Sequence, residues 1–475
     1  MPDIEMSGGA GGGVSCPQCL RPPAAARRRR HVPVVRRRSS LPQAPSYTIE
    51  QVEALSRDRD EPGWLRERRV EAWALYQSLP MPYMEEEWRR TDYRHIRWDE
   101  ADKRITANGA DASAVPAKNL EPLTGDEQGG LLVFVDGQIA SHDFADQLAR
   151  QGVIFTDLRT AVREHEDLVK PHLMTRAVTP ADGKFAALHA ALWDYGVFVY
   201  VPRNVAAELP LHVVCYHTAA GAGLGHVLVV LEENAQATMQ VEYASPDRAQ
   251  QSAYIGVTEL IVGDAGNLRY VSLQDWNRET FEFSHQRGVV GRDAQLDWVN
   301  GVMGSRLTKA FIEVDTVGAR ANARVSGFFF ADSGQFFDLD TQQNHNAPLT
   351  NTDLLFKGAA RDNARTLWQG MIKSLPKMQQ IDGYQVCRNL LLSDEARMDS
   401  IPGLEIEADD VACSHAATFG TLEEEPIYYL MSRGITRPQA QLMIIEGFFD
   451  ELLQRIPFER VRERLMDEIE AKIIA

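Results

Sequence analysis

Apolar side chains recur along this chain in distinct rhythms, and each rhythm predicts a different kind of structure. Between Thr48 and about Tyr93, Val52, Leu55, Trp64, Leu65, Val70, Trp73, Ala74 and Leu75 return at steps of three and four, the period of a helix with one buried face. Pro80 and Pro82 stop that pattern. Leu131 to Ile139 (LLVFVDGQI) reads as a strand entering a turn at Asp136-Gly137, and Asp157 to His172 as a further helix, so residues 46–190 are expected to form a helical, mixed domain. From about Tyr195 the texture changes to short β-branched and aromatic runs such as VFVYV, HVLVVLEE, ATMQVEY, VTELIV, LRYVSL, FIEVDTV and VSGFFFAD. Turn signals begin at Gly263, Gly291 and Gly318, spaced 28 and then 27 residues apart. Short strands with regular turns fit a sandwich, a barrel or a solenoid; near-constant spacing favours the solenoid, whose stacked coils share one core. The fold class expected is therefore mainly β, with a solenoid core over residues 191–422.

After Glu423 the period is helical again, giving a C-terminal helical domain over residues 423–475. Thr436 with Gln439 makes a capping box, and Pro438 sits in the first turn. Met443, Ile444, Phe448, Leu452 and Ile456 predict one apolar stripe; Val461, Leu465, Ile469 and Ile473 predict a second on a final helix from about Phe458. These stripes are expected to pack against the end of the β region, to dock a partner, or both.

Composition narrows the class. The 475 residues are 44% hydrophobic and 25% charged, as in a soluble globular protein, and no apolar run approaches a membrane span. The formal charge of −17 hides an asymmetry, because residues 1–45 carry eight Arg against Asp3 and Glu5, a local +6 that leaves −23 on the rest. An acidic body repels phosphate and argues against nucleic acid as a partner. Residues 1–45, with a Gly-rich start and two Arg clusters, cannot bury enough apolar surface to offset ordering and are expected to be disordered. That stretch reads as an upstream extension of the gene model, an organelle-targeting (plastid) peptide, or a basic tail. Its Cys16-Pro17-Gln18-Cys19 has no second ligand pair nearby for a zinc knuckle. Five cysteines without framework spacing indicate a reducing compartment, with the cytoplasm as default.

Candidate chemistry concentrates between Asp382 and Ile456. Cys413 and His415 lie two positions apart in a β pattern and so share a face, and a thiol with an imidazole suits a soft or borderline metal such as iron. Against this stand two structural readings: a strand histidine is often a core or surface residue, and a buried cysteine packs as a small hydrophobe. His212, His217 and His226 lack mutual ligand spacing, His345 sits in a polar turn-rich segment where backbone hydrogen bonding is expected, and none receives a role. No phosphate-binding GxxxxGK[ST] loop, GxSxG elbow, HExxH or dinucleotide glycine cluster is present in context, so the chain is not expected to be an enzyme or to bind nucleotide.

Several long segments resemble one family. EARMDSIPGLEIEADDV, DVACSHAATFG and YLMSRGIT, with HNAPLTNTDLLFKGAARDNARTLWQGMI, YGVFVYVPRNV and, more loosely, LPMPYMEEEWRRTDY, are similar to the SufB/SufD family in its SufD form, and cover nearly everything after about Tyr47. The resemblance implies a right-handed parallel β-helix between helical ends, and a scaffold role in the SufBCD complex for iron–sulfur cluster assembly. It implies a SufB-like partner paired edge to edge, the SufC ATPase bound through the C-terminal helices, and a transient cluster or iron at the subunit interface. His415 of the CSH motif is the residue it implicates first, with Cys413 beside it. Cys387 falls where the SufB form carries an assembly cysteine, while Ala416 replaces the glutamate that follows the histidine there. Two other readings stay open: a homodimeric SufB-like scaffold using Cys387 and His415, and a purely structural β-helix bridge.

Overall fold

The computed structural model describes residues 43–103, 110–123 and 128–474. The basic segment with Cys16 and Cys19 lies outside the described residues, apart from its last three. Two ten-stranded sheets form a flattened solenoid, and from Gln236–Ala244 onward successive strands alternate between them. One sheet ends at Ile381–Leu391 and Val411–Thr421, the other at Arg365–Ser374 and Arg397–Ile406; both pairs are parallel. The expected β-solenoid is the observed core.

The periodic turn signals have a stereochemical basis. Asn204, Asn234, Ala265, Asp293, Arg320, Leu349 and Gln380 all hold φ near +60°, between 55° and 62°. Such left-handed geometry costs a non-glycine residue about 1 kcal/mol. Each turn recovers it by stacking: Asn234 N–H donates to Asp264 O (2.8 Å), Ala265 N–H to Arg292 O (2.7 Å) and Leu349 N–H to Gln379 O (3.0 Å), each one coil on. Between the sheets, alternate residues interdigitate, with Trp298, Phe329, Phe337, Phe356 and Trp368 fully buried.

The helices Ile49–Asp58, Gly63–Ser78 and Lys184–Leu192 cover the outside of one sheet over Phe198, Leu228, Ile255, Phe281 and Phe283. Val70 and Ala74, expected in the buried stripe, are exposed, and Arg69 is buried instead. Its guanidinium meets Glu61 (2.7 Å) and the carbonyls of Ala191 (3.2 Å) and Trp193 (3.1 Å), which supplies the partners a buried cation requires. The helix expected over 157–172 is two helices, Leu158–Glu164 and Glu166–Val169, with Asp157 accepting from the amides of Arg159 and Thr160 as the cap. Residues 130–157 supply strands to both sheets.

Arg437–Leu453 and Glu459–Ile474 pack on the outside of the other sheet, over Val271, Val299, Phe328, Phe330, Leu355, Val386 and Leu390. They lie along the flank and not across the end, contrary to the expectation. The first stripe is also shifted by a residue: Ile445, Phe449, Leu452 and Ile456 are buried, while Met443 is 47% exposed and Ile444 and Phe448 are partly covered. The doublets Ile444-Ile445 and Phe448-Phe449 offered two faces, and the one continuous with Leu452 and Ile456 won. Of the second stripe, Val461, Leu465 and Ile469 are buried as expected and Ile473 is partly covered. No helix among the described residues is long and apolar enough to cross a membrane.

Candidate functional site

The solenoid stops at an open coil. Val411–Thr421 and Arg397–Ile406 are the last strands of their sheets, and among the described residues no strand pairs with their outer edges. Inward positions follow from the register with the coil before. Cys413 stacks on Gly383, His415 on Gln385 and Ala417 on Cys387. The expectation that thiol and imidazole share a face therefore holds, and Cys387 belongs to the same inward face one coil deeper, offset by two positions from His415. The end is apolar as well: Phe419 is 50% and Leu404 39% exposed, both at inward register positions where a further coil would cover them.

The three candidate residues have different surroundings. His415 is exposed and Cys413 half-buried, with burial pushing its thiol up. Cys387 is fully buried among the interior side chains, its Sγ 3.6 Å from Asn389 Oδ1, and burial pushes its thiol up to about 12. Asn389 in turn donates to Ser400 Oγ (3.0 Å) and Thr418 O (3.1 Å), tying the last two coils together around the thiol. Gln385, under His415, crosses the interior to donate to Gly403 O (2.8 Å). Among the described residues no group of three or more His, Cys, Asp or Glu side chains is arranged to hold a metal ion. Cys413, His415 and Cys387 share a face without converging on one point.

His212, His217 and His226 are buried in separate networks. His212 meets Glu242 (3.2 Å) and His217 meets Tyr195 Oη (2.9 Å). His226 belongs to a chain whose proton positions can be worked out. Ile255 O can only accept, so His189 Nδ1 (2.9 Å) carries the hydrogen; His189 Nε2 then accepts from His226 Nδ1 (3.0 Å), and His226 Nε2 needs a donor from Glu259 (3.1 Å). Burial supplies one by pushing Glu259 up to about 8, which keeps its carboxyl protonated at neutral pH. The same carboxyl accepts the amides of Met174 (2.7 Å) and Val178 (3.2 Å) and so pins that loop to the sheet.

His345 departs from its expected backbone bonding. It bonds two side chains, Thr350 Oγ1 (2.7 Å) and Thr352 Oγ1 (2.9 Å), and burial pushes its pKa down to about 4. Gly383 and Gln385, which shape the floor beneath Cys413 and His415, were not singled out from sequence. A glycine inside a strand pattern was the available signal, since it marks close approach of something else.

Comparison with known proteins finds two family models and several relatives. The family model described as SUF system FeS cluster assembly, SufBD core domain, matches residues 215–448, and that of the SufBD protein N-terminal region matches residues 50–213. The Bacillus subtilis iron-sulfur cluster assembly protein SufD is 30% identical over 435 residues, covering 89% of this chain and 97% of the relative. SufB of the same organism is 27% identical over 425 residues, covering 87% and 90%. A Staphylococcus epidermidis iron-sulfur cluster assembly SufBD family protein is 27% identical over 421 residues, covering 86% and 89%. These relatives are bacterial, and plastid targeting finds no support in them.

Proposed function

The chain belongs to the SufB/SufD family of the SUF iron–sulfur cluster assembly system, and from that premise we propose that it is the SufD-type scaffold subunit of a SufBCD complex, working in the cytoplasm without enzymatic chemistry of its own. The observation that carries this reading is the open last coil, which presents Cys413 and His415 on an inward face beside exposed Phe419 and Leu404. Two unpaired edges over an apolar end suit continuation of both sheets into a SufB-like subunit. The interface so formed would enclose His415 and Cys413 with donors from the partner, and iron or a nascent cluster is the cargo held there. Cys387, one coil deeper, joins only if the end opens. Ala416 after the histidine, together with the slightly higher identity to SufD than to SufB, favours the SufD form.

The SufC ATPase is assigned to the C-terminal helices. Glu424–Ser432 buries only Ile427, while Tyr428 is 74% exposed and Tyr429, Met431 and Met443 are also uncovered, an aromatic and methionine surface of the type that anchors protein partners. ATP-driven SufC dimerisation would then move both scaffold subunits and shift the population toward an opened site.

The test is anaerobic co-expression with SufB-like and SufC-like partners, comparing iron and acid-labile sulfide in the purified complex for the parent and His415→Ala. Assembly of the complex with loss of its cluster is the expected result. Unchanged cluster content would mean the chain is a structural bridge. Cluster formation by this chain alone, dependent on Cys387, would instead make it a homodimeric SufB-like scaffold.

A further inference from the structure

Gly383 interrupts a column of inward side chains, lying between Thr352 on the preceding strand and Cys413 on the last. A methyl group there would sit 3.2 Å from His345 Nε2, 3.3 Å from Cys413 Sγ and 3.1 Å from Ile372 Cγ2. The missing side chain leaves a notch directly behind half-buried Cys413, with thiol on one wall and imidazole on another.

Hydrogen bonding sets which ring atom faces that notch with a lone pair. The Thr350 hydroxyl donates to Ala347 O (3.1 Å), so it accepts from His345 Nδ1–H (2.7 Å). Nε2 of the neutral ring is therefore unprotonated, and at present takes the hydrogen of the Thr352 hydroxyl (2.9 Å). Borderline imidazole nitrogen and soft thiolate sulfur, both bordering the space a methyl group would enter, are donors for a thiophilic first-row cation.

We infer that Cys413 and His345 form a two-donor site in the notch over Gly383 for a divalent thiophilic cation, ferrous iron being the physiological cargo. The inference rests on the cluster-assembly reading above and names His345, not His415, as the imidazole that shares an ion with Cys413. His415 stands two positions along the strand, stacked on Gln385 instead of Gly383. A first-row cation takes sulfur at about 2.3 Å and imidazole nitrogen at about 2.1 Å; Sγ and Nε2, at 3.3 and 3.2 Å from the same point, are at most about 6.5 Å apart, so an ion between them and clear of the Gly383 Cα asks the pair to close by no more than about 2 Å. A Cys413 χ1 turn and a small tilt of the ring supply that. Binding releases the thiol proton to solvent, turns the Thr352 hydroxyl away from Nε2, and leaves the other coordination positions to water or a partner's donors.

Cobalt(II), a spectroscopic stand-in for ferrous iron, tests this on the full chain under anaerobic conditions, with Cys16 and Cys19 replaced by Ser throughout to remove that second thiol pair. The parent should bind one equivalent and show a sulfur-to-cobalt charge-transfer band, which Cys413→Ser abolishes. Gly383→Ala keeps both donors and adds only the methyl group, so it should fold as the parent by circular dichroism and bind at least about tenfold more weakly. His345→Gln should weaken binding equally. Parent-like binding by both Gly383→Ala and His345→Gln overturns the inference. So does loss of cobalt in His415→Ala alone, an outcome that leaves the cluster-assembly reading intact. If the notch variants lose cobalt while the His415→Ala complex keeps its iron and sulfide, the notch stands and the role assigned to His415 falls.

Discussion

The two ends of the solenoid are built for opposite purposes. At the first end the outermost strands run antiparallel to the rest: Gln138–Phe144, turned back on Gly130–Val135 through Asp136 (φ 51°) and Gly137 (φ 75°), and the four-residue Ile154–Asp157 beside Tyr195–Val201. One has a register shift in its pairing and carries Gln138, Ser141, His142 and Asp143, and the other passes straight into a helix, standard ways to stop a sheet from recruiting another strand. At the last end both edges are full strands of 10 and 11 residues, untwisted by any bulge in their pairing, with apolar side chains at inward positions. The C-terminal helices could have covered this end, yet they lie along the flank. A chain that blunts one end and leaves the other bare is built to be continued at the bare end only.

The largest effect should come from making the open end resemble the blunted one. Leu404→Lys with Phe419→Lys removes two exposed anchors worth about 2 kcal/mol each if they are central to the interface, so association with a SufB-like subunit should fall by about a thousandfold. Both side chains are substantially exposed in the isolated chain, and its own melting should change little. Size-exclusion chromatography and calorimetry read the two quantities separately; a normal complex from the double variant would mean the subunits pair elsewhere.

A somewhat smaller effect should distinguish the fastening of the helical flank nearer the blunted end. Glu259 has its folded pKa raised from 4.5 to about 8, so the stability it contributes is complete below about 4.5 and is lost as pH rises through about 8. Within that window the slope is about 1.4 kcal/mol per pH unit, so between about pH 5 and pH 7 the loss is on the order of 3 kcal/mol. Glu259→Gln removes the titration while presenting an amide N–H to His226 and a carbonyl to Val178, and it gives up the Met174 bond, whose acceptor Oε2 is the atom that faces His226. Its thermal stability should be flat across that range, and amide exchange at Met174 and Val178 should accelerate with pH in the parent alone, beyond the intrinsic base catalysis. Equal pH dependence in both proteins would contradict the proton placement.

The smallest effect is a control on the contrast itself. Ile139 is exposed on the edge strand of the blunted end, and Ile139→Lys should change neither partner affinity nor stability by more than about 0.5 kcal/mol. A marked loss of complex there would show that both ends make contacts.

Much of this architecture was legible locally. The turn signals at Gly263, Gly291 and Gly318 place a left-handed residue at their third position, at Ala265, Asp293 and Arg320, and that regularity is the coil itself. The pairing of Cys413 with His415 on one face follows from strand alternation alone. Less legible were features depending on which of two faces wins: the phase of Arg437–Leu453, whose adjacent apolar doublets are degenerate, and burial of Arg69, whose carbonyl partners come from residues 191 and 193.

The elements and their repeat are written in the chain locally, because periodicity and turn stereochemistry act over a few residues. The tertiary structure alone decided that the C-terminal helices leave the last coil bare and that His345 and Cys413, 68 residues apart, border the same gap over Gly383. The reason is register: a solenoid brings distant side chains together according to the summed lengths of the coils between them, and no local pattern records that sum.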